Sequence, residues 1–291
     1  MKMKYIQKIK ANITISATKK TTNILDGNYK SIYKGKTLNF EDLREYVIGD
    51  NIRDIDWKAS ARSNSLLVRQ YIAEKKHNIM LVLDSGKKML ADTKENEIKK
   101  NIAILAAGIM ACLANKNGDY VGAIYSIDNL LKYFQFKQSL YNIEEILATY
   151  DSNVENTTKC NIEQSLDFVV NNINKRMIIV IFTDIDGMES IQETTLKKLT
   201  LLHDVLLINI SDADATGNKA YDLDDKSYFP KLILNDSKLH ELEKNLKKEL
   251  YEKNLKKFEK YNITTVTVDS DEKIIYKIIE LLERHKNANI R

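Results

Sequence analysis

The spacing of apolar positions changes at about residue 78. Upstream, the short stretches Asn12–Ser16 (NITIS) and Leu66–Ile72 (LLVRQYI) alternate with the two-residue period of half-buried strands, and a polar segment rich in Arg, Asp and Tyr separates them. An extended β-rich segment over 1–78 is the expectation. From Asn78 onward, continuous apolar runs alternate with helical patterns. Ile79–Leu83 (IMLVL) and Met177–Thr183 (MIIVIFT) have the composition of parallel strands buried on both faces, and they end in Asp84 and Asp184. Ile98, Ile102, Leu105, Ile109 and Leu113 recur at three- and four-residue intervals and mark one face of a helix. Tyr120–Ser126 and Leu131–Phe136 read as strands, followed by helices over Tyr141–Thr149 and Ile162–Ile173. A helix over Gln192–Leu202, strands at Val205–Ile210 and Ile263–Val268, and a closing helix Lys273–Arg284 complete the pattern.

Strands and helices alternating in this way predict an α/β fold, a parallel sheet with helices on both faces, over 79–291. Ligands of such sheets bind at the carboxyl ends of the strands, which is where Asp84 and Asp184 fall. Between Asp212 and Asn262 the pattern loosens into a lysine-rich helix with Leu239, Leu242, Leu246, Leu250 and Phe258 at near-helical intervals, expected to be a solvated amphipathic helix.

Composition narrows the classes. With 43% hydrophobic and 30% charged residues, 9 Gly and 1 Pro, the chain of 291 residues is neither collagen-like nor disordered. A net charge of +4 is too small to argue for nucleic acid. Cys112 and Cys160 form no disulfide framework, and a reducing compartment is the default. The longest apolar stretch, Ile102–Ala114, is shorter than the roughly 20 residues that span a bilayer. The expectation is a cytoplasmic chain with no membrane span and no nucleic-acid partner.

An aspartate after a strand is ordinarily a turn former or helix cap. Two of them on central strands, with Asp186 beside the second, would also suit Mg²⁺, which takes oxygen ligands. Neither GxGxxG nor GxxxxGK[ST] is present, and His77, His203, His240 and His285 are scattered singly as surface or helix-end residues. Cys112 falls within an apolar helix and Cys160 in a polar loop. The segment from Arg44 to Arg69 interleaves Arg44, Asp50, Arg53, Asp54, Asp56, Lys58, Arg62 and Arg69 around Tyr46 and the only tryptophan, Trp57. Two readings suit it: a self-neutralising network of guanidinium–carboxylate pairs, or a recognition surface built from residue types common at binding hot spots.

The run Arg44, Tyr46, Gly49, Asp50, Arg53, Asp56, Trp57, Ser60, Ala61, Arg62, continued by Leu67, Arg69, Tyr71 and Glu74, resembles the R-x-Y-x-x-GD-x-x-R-x-IDW-x-x-(S/T)AR signature of the domain of unknown function 58 family. The resemblance implies a β-rich segment leading into a Rossmann-like domain of the von Willebrand factor A type. It also implies a metal-ion-dependent adhesion site with D-x-S-x-S after the first strand, a threonine in a later loop and an aspartate after the fourth strand. Here Asp84 and Asp184 match, Gly86 and Lys88 replace the two serines, and Cys160 falls at the threonine, with Thr157 and Thr158 nearby. A degenerate site follows, with Mg²⁺ as its candidate cation and an ion pair from Lys88 to Asp84 or Asp184 as the expected substitute. Family context implies a non-enzymatic adaptor of a MoxR-type AAA+ ATPase, contacted through the strand-end loops or the Arg44–Arg69 segment. The alternative is a metal-dependent phosphoesterase using the strand-end aspartates.

Overall fold

The computed structural model describes residues 3–16, 18–33, 42–70, 76–128, 130–155, 159–214, 216, 221–222, 227–228 and 237–288. Thr157, Thr158, Tyr71 and Glu74 lie outside them.

Six strands form the central sheet: β3 (Asn78–Leu83), β4 (Tyr120–Ile127), β5 (Leu130–Lys137), β6 (Ile178–Thr183), β7 (Asp204–Ile210) and β10 (Thr264–Val268). Two further short strands, β8 (Tyr221–Asp222) and β9 (Ser227–Tyr228), pair antiparallel with each other outside this sheet. The order of the six is β10-β7-β6-β3-β4-β5. All neighbours are parallel except the edge strand β5, which returns antiparallel to β4. This is a doubly wound, Rossmann-like order: the chain runs outward from β3 in one direction, then restarts at β6 and runs the other way. β3 and β6 are fully buried, which is why both read as unbroken apolar runs rather than alternating ones.

Alternate residues of the strands face two separate cores. Ile79, Leu81 and Leu83 point to the face covered by α1 (Lys4–Ser16), α2 (Lys19–Tyr33), α4 (Lys99–Lys116), α5 (Leu140–Asn153) and α10 (Ile274–Ala288). Met80 and Val82 point to the face covered by α6 (Ile162–Asn172), α7 (Ile185–Ser190), α8 (Glu193–Leu202) and α9 (Ser237–Glu259).

The amino-terminal segment differs from the sequence expectation. Asn12–Ser16 belongs to helix α1, not to a strand, and residues 4–33 form two helices packed on the main sheet unit. Two tertiary contacts override the alternating pattern. The Glu144 carboxylate on α5, itself buried, accepts the Tyr5 and Ile6 backbone N–H groups at 3.0 and 2.8 Å and so satisfies the start of α1. Ile9 seats against Gly108 of α4, where a β-carbon would collide with the Ile9 Cδ1. The β character of the segment is confined to β1 (Asp42–Glu45) and β2 (Leu67–Gln70), an antiparallel pair spanned by α3 (Trp57–Ser63).

His285 lies in the last turn of α10, one of the two expected placements, but it is buried and bridges Thr264 (3.1 Å from Nδ1) and Asp204 (3.0 Å from Nε2) at the amino ends of β10 and β7. Helix α9 is amphipathic in an unexpected sense. Of its apolar stripe, Leu239, Leu242 and Leu246 face solvent, Leu250 is half-buried and Phe258 is buried in the core.

Candidate functional site

The β3 and β6 strands are neighbours with opposite crossover directions, so their carboxyl ends form the switch point of the sheet. Asp84 and Asp184 come together there, both buried. Asp184 caps α7: its Oδ1 accepts the Gly187 N–H at 3.0 Å. Its Oδ2 accepts from the Lys99 Nζ at 2.7 Å, and that ammonium also donates to Asp212, just beyond β7. Lys99 is 1% exposed and opens α4. Asp84 is occupied as well: Thr183 Oγ1 donates to its Oδ2 at 2.7 Å and the Gly86 N–H to its Oδ1 at 3.1 Å.

One ammonium meets two carboxyl groups, Asp184 and Asp212, with Asp84 beside Asp184, and the three acidities separate accordingly. Burial and the adjacent Asp184 charge raise the Asp84 carboxyl above its ordinary range. Burial acts the same way on Asp184, but the Lys99 charge and hydrogen bond outweigh it and hold that carboxyl low. Asp212 is raised, because burial and the Asp184 charge exceed the relief it receives from the shared lysine. Burial alone would lower Lys99; the two aspartates keep it charged.

Lys88 does not take the expected position. It pairs with Asp186 in a largely exposed contact, and Lys99 neutralises Asp184 instead. The difference is geometric. Lys88 sits in a short turn at the rim after β3, whereas α4 points its first turn into the carboxyl ends of β6 and β7. The sequence carries a signal for this: Lys99 precedes Ile102 and Ala103 by three and four residues and so shares their inward face. Asp212 and Thr183 also went unmarked, since nothing local distinguishes them.

Cys160 packs into the same loop cluster. Its Sγ accepts the Ser85 N–H at 3.4 Å, and a β-carbon at Gly86 would stand 3.3 Å from the Cys160 Cβ. Burial first, and then the Asp84 charge, push its thiol up to about 12.

These residues do not fit a divalent cation. Every carboxylate oxygen of Asp84 and Asp184 already receives an N–H or O–H donor, and a buried ammonium stands among them. Among the described residues no three His, Cys, Asp or Glu side chains are grouped to hold a metal ion.

The Arg44–Arg69 segment forms its own small lobe. Arg44 grips Asp50 with two hydrogen bonds of 2.7 Å, and the Val47 N–H donates to the same carboxylate. Gly49 has φ +112°, which only glycine adopts at little cost, and closes the turn that brings Asp50 back to Arg44. Asp56 caps α3 through the Ala59 N–H and pairs with Arg69 at 3.2 Å. Ser60 Oγ accepts the Leu67 N–H, tying α3 to β2. Ile55 and Val68 are the lobe's buried apolar pair, and Tyr46 is half-buried with its N–H on the Leu66 carbonyl. Around this frame Val47, Ile48, Ile52 and Trp57 project outward, Ile48 being 96% and Trp57 63% exposed. Arg53, Lys58 and Arg62 are exposed beside them.

The sequence profile described as "Protein of unknown function DUF58" matches residues 42–217, from β1 to beyond β7, and the chain belongs to this family. It is 28% identical over 112 residues to the uncharacterized protein Rv1480 of Mycobacterium tuberculosis, a match that takes in 38% of this chain and 35% of that protein. The matched region thus spans about a third of the length of the curated relative. Among solved structures, BatB from Bacteroides thetaiotaomicron, a conserved hypothetical protein, aligns with TM-score 0.47 and 13% identity over 72% of this chain and 99% of its own. The von Willebrand factor A domain of SpRpn10 aligns with TM-score 0.35 and 13% identity over 48% of this chain and 78% of its own. No helix among the described residues is long and apolar enough to cross a membrane.

Proposed function

We propose that this chain is a non-enzymatic, cytoplasmic protein-binding module, an adaptor for a MoxR-type AAA+ ATPase, and that it binds its partner through the Arg44–Arg69 lobe without a divalent cation. The observation that carries this reading is the exposed cluster Val47, Ile48, Ile52 and Trp57 on a lobe whose backbone is fixed by two Arg–Asp pairs. Large apolar side chains held outward on a rigid frame lose little entropy on binding, and tryptophan and arginine are favoured at hot spots. The cationic rim of Arg53, Lys58 and Arg62 complements an acidic border on the partner.

Cation independence follows from Lys99. Von Willebrand-type adhesion sites use a metal to present charge at the strand ends; here a lysine supplies a fixed positive charge from within the chain. The phosphoesterase reading would need carboxylate oxygens free to ligate metal, and those of Asp184 and Asp84 are already engaged.

The test is binding of the purified chain to the MoxR-type ATPase of its own organism, with nucleotide, by biolayer interferometry. Ile48→Asp and Trp57→Ala are expected to weaken binding by about tenfold or more each, while treating the adaptor with EDTA beforehand leaves it unchanged. Absence of binding by the unaltered chain, or indifference to both substitutions, would overturn the reading.

A further inference from the structure

On the face of the sheet opposite α4, the apolar core gives way to a chamber. A cavity of about 470 Å³ lies between the carboxyl ends of β7 and β10 and the inward side of α9. Its volume falls within the range of small-molecule sites.

The floor is polar where the rest of the strand face is apolar. Val205 and Leu207 of β7 pack into the core, but the next residue on that face is Asn209, and Ser211 follows it. Asn209 is 3% and Ser211 8% exposed, yet Asn209 Oδ1 and Ser211 Oγ have no hydrogen-bond partner among the described residues. Such groups are costly to bury unpaired. A chain of hydrogen bonds adds a direction: Asn209 Nδ2 donates to Thr267 Oγ1 at 3.1 Å, and Thr267 donates to the Tyr251 hydroxyl at 3.0 Å. Since Tyr251 accepts that bond, its own phenolic hydrogen remains to be given away. The floor therefore offers acceptors at Asn209 and a donor at Tyr251.

The roof is cationic. Lys247 and Tyr251, both half-buried, face the sheet from α9, while Lys244 and Lys248 stand exposed along the mouth of the chamber. Lys94 closes the rim. The two carboxylates on the wall share their lysines with other acids: Lys99 meets Asp212 and Asp184, and Lys247 meets Asp214 at 3.3 Å and Glu243 at 2.6 Å. Lys248 has only a 3.9 Å contact with Glu252, and no ion pair binds Lys94 or Lys244 among the described residues. Lys94, Lys244 and Lys248 thus bring three ammonium groups with no close carboxylate among the described residues to apolar surface from Ile185 and the Tyr251 ring.

We infer that this chamber is a binding site for a small organic phosphate, a nucleotide-like molecule. Its anionic group would meet Lys244, Lys248, Lys94 and the Tyr251 hydroxyl, and its body would lie on Ile185 with a hydrogen-bond donor directed at Asn209. Inorganic phosphate or pyrophosphate satisfies the lysines but leaves the Asn209 acceptor and most of the volume unfilled. No metal takes part, and the site is separate from the partner-binding lobe.

Isothermal titration of the full chain with AMP, ADP, ATP and pyrophosphate, in metal-free buffer at fixed ionic strength, tests this. At least one nucleotide is expected to bind more tightly than pyrophosphate. Lys244→Glu is expected to weaken it by about tenfold or more, and Asn209→Leu to abolish the preference over pyrophosphate. Lys256→Glu, on the same helix but outside the chamber, should leave binding intact. Failure of all four probes to bind at millimolar concentration overturns the inference. So does equal weakening by Lys256→Glu, which marks general attraction to a lysine-rich helix, or pyrophosphate binding as tightly as the nucleotides. A crystal soaked with the tightest nucleotide locates it directly, and density elsewhere than over Asn209 has the same consequence.

Discussion

Lys99 Nζ lies 2.7 Å from Asp184 Oδ2, and both side chains are withdrawn from solvent at the point where the sheet changes winding direction. A charge pair this deep contributes little net stability against an apolar alternative, but breaking it strands a buried charge. Lys99→Met is therefore expected to destabilise the fold by about 3 to 5 kcal/mol in urea unfolding at neutral pH. The sign of the pH dependence is set by Asp184. Its folded pKa is lowered, so the pair's contribution is complete above the unfolded carboxyl value of about 3.9 and is lost as pH falls through the lower folded value. In Lys99→Met that acid-side loss should disappear from the stability profile.

The same residue fixes the response to metal. Thermal unfolding of the unaltered chain is expected to show the same midpoint in Mg²⁺ and in EDTA. Lys99→Ser, which removes the ammonium but leaves no three acidic side chains among the described residues grouped to hold an ion, should lower the midpoint equally in Mg²⁺ and in EDTA.

Arg44 and Asp50 give a second pH reading in the signature lobe. The Arg44 hydrogen bonds, aided by the Val47 N–H, hold the Asp50 carboxyl down at about 2. Carboxyl-detected NMR titration should place its midpoint there, and Arg44→Met should move it toward about 3.9, the ordinary aspartate value. The pair's contribution is present above the unfolded value and is lost as pH falls through the folded one.

Glu144 docks the first helix. Glu144→Ala removes the acceptor for the Tyr5 and Ile6 N–H groups, and by comparison with other lost caps should cost about 1 to 2 kcal/mol. Hydrogen exchange should quicken first across α1, with the β3 and β6 amides protected as before.

Cys160 should be inert despite its place beside the aspartates. With its thiol pushed up to about 12, and that of Cys112 to about 11, almost no thiolate exists at pH 8. Native protein is expected to resist alkylation at both cysteines over hours, and both should label at once in denaturant.

The sheet was legible because its signal is local. Buried strands such as Ile79–Leu83 and Met177–Thr183 must be apolar on both faces, and an aspartate that ends a strand falls at its carboxyl edge whatever else the chain does. The signature lobe was legible for a similar reason: Arg44 with Asp50, and Asp56 with Arg69, pair within a short stretch of chain. Asn12–Ser16 was misread because alternation over a few residues is weak evidence, and its helix is fixed by Glu144 and Gly108, distant in sequence.

By itself, then, the sequence determined the α/β class, the strand ends and the frame of the lobe, since hydrophobic periodicity and short-range charge pairing act over a few residues. The spacing of Lys99 to Ile102 and Ala103 puts it on the inward face of α4, but tertiary structure decided which cation meets Asp184. Lys88 and Lys99 are equally charged, and both fall in the segment after β3. Only the direction of α4 against the sheet brings one of them into a place where water is absent and a carboxylate must be answered. Tertiary structure likewise decided that α9 sets Lys247 and Tyr251 toward Asn209 and Thr267 and leaves Leu239, Leu242 and Leu246 in solvent. A helical stripe records which residues share a face, while the packing of neighbours decides where that face looks.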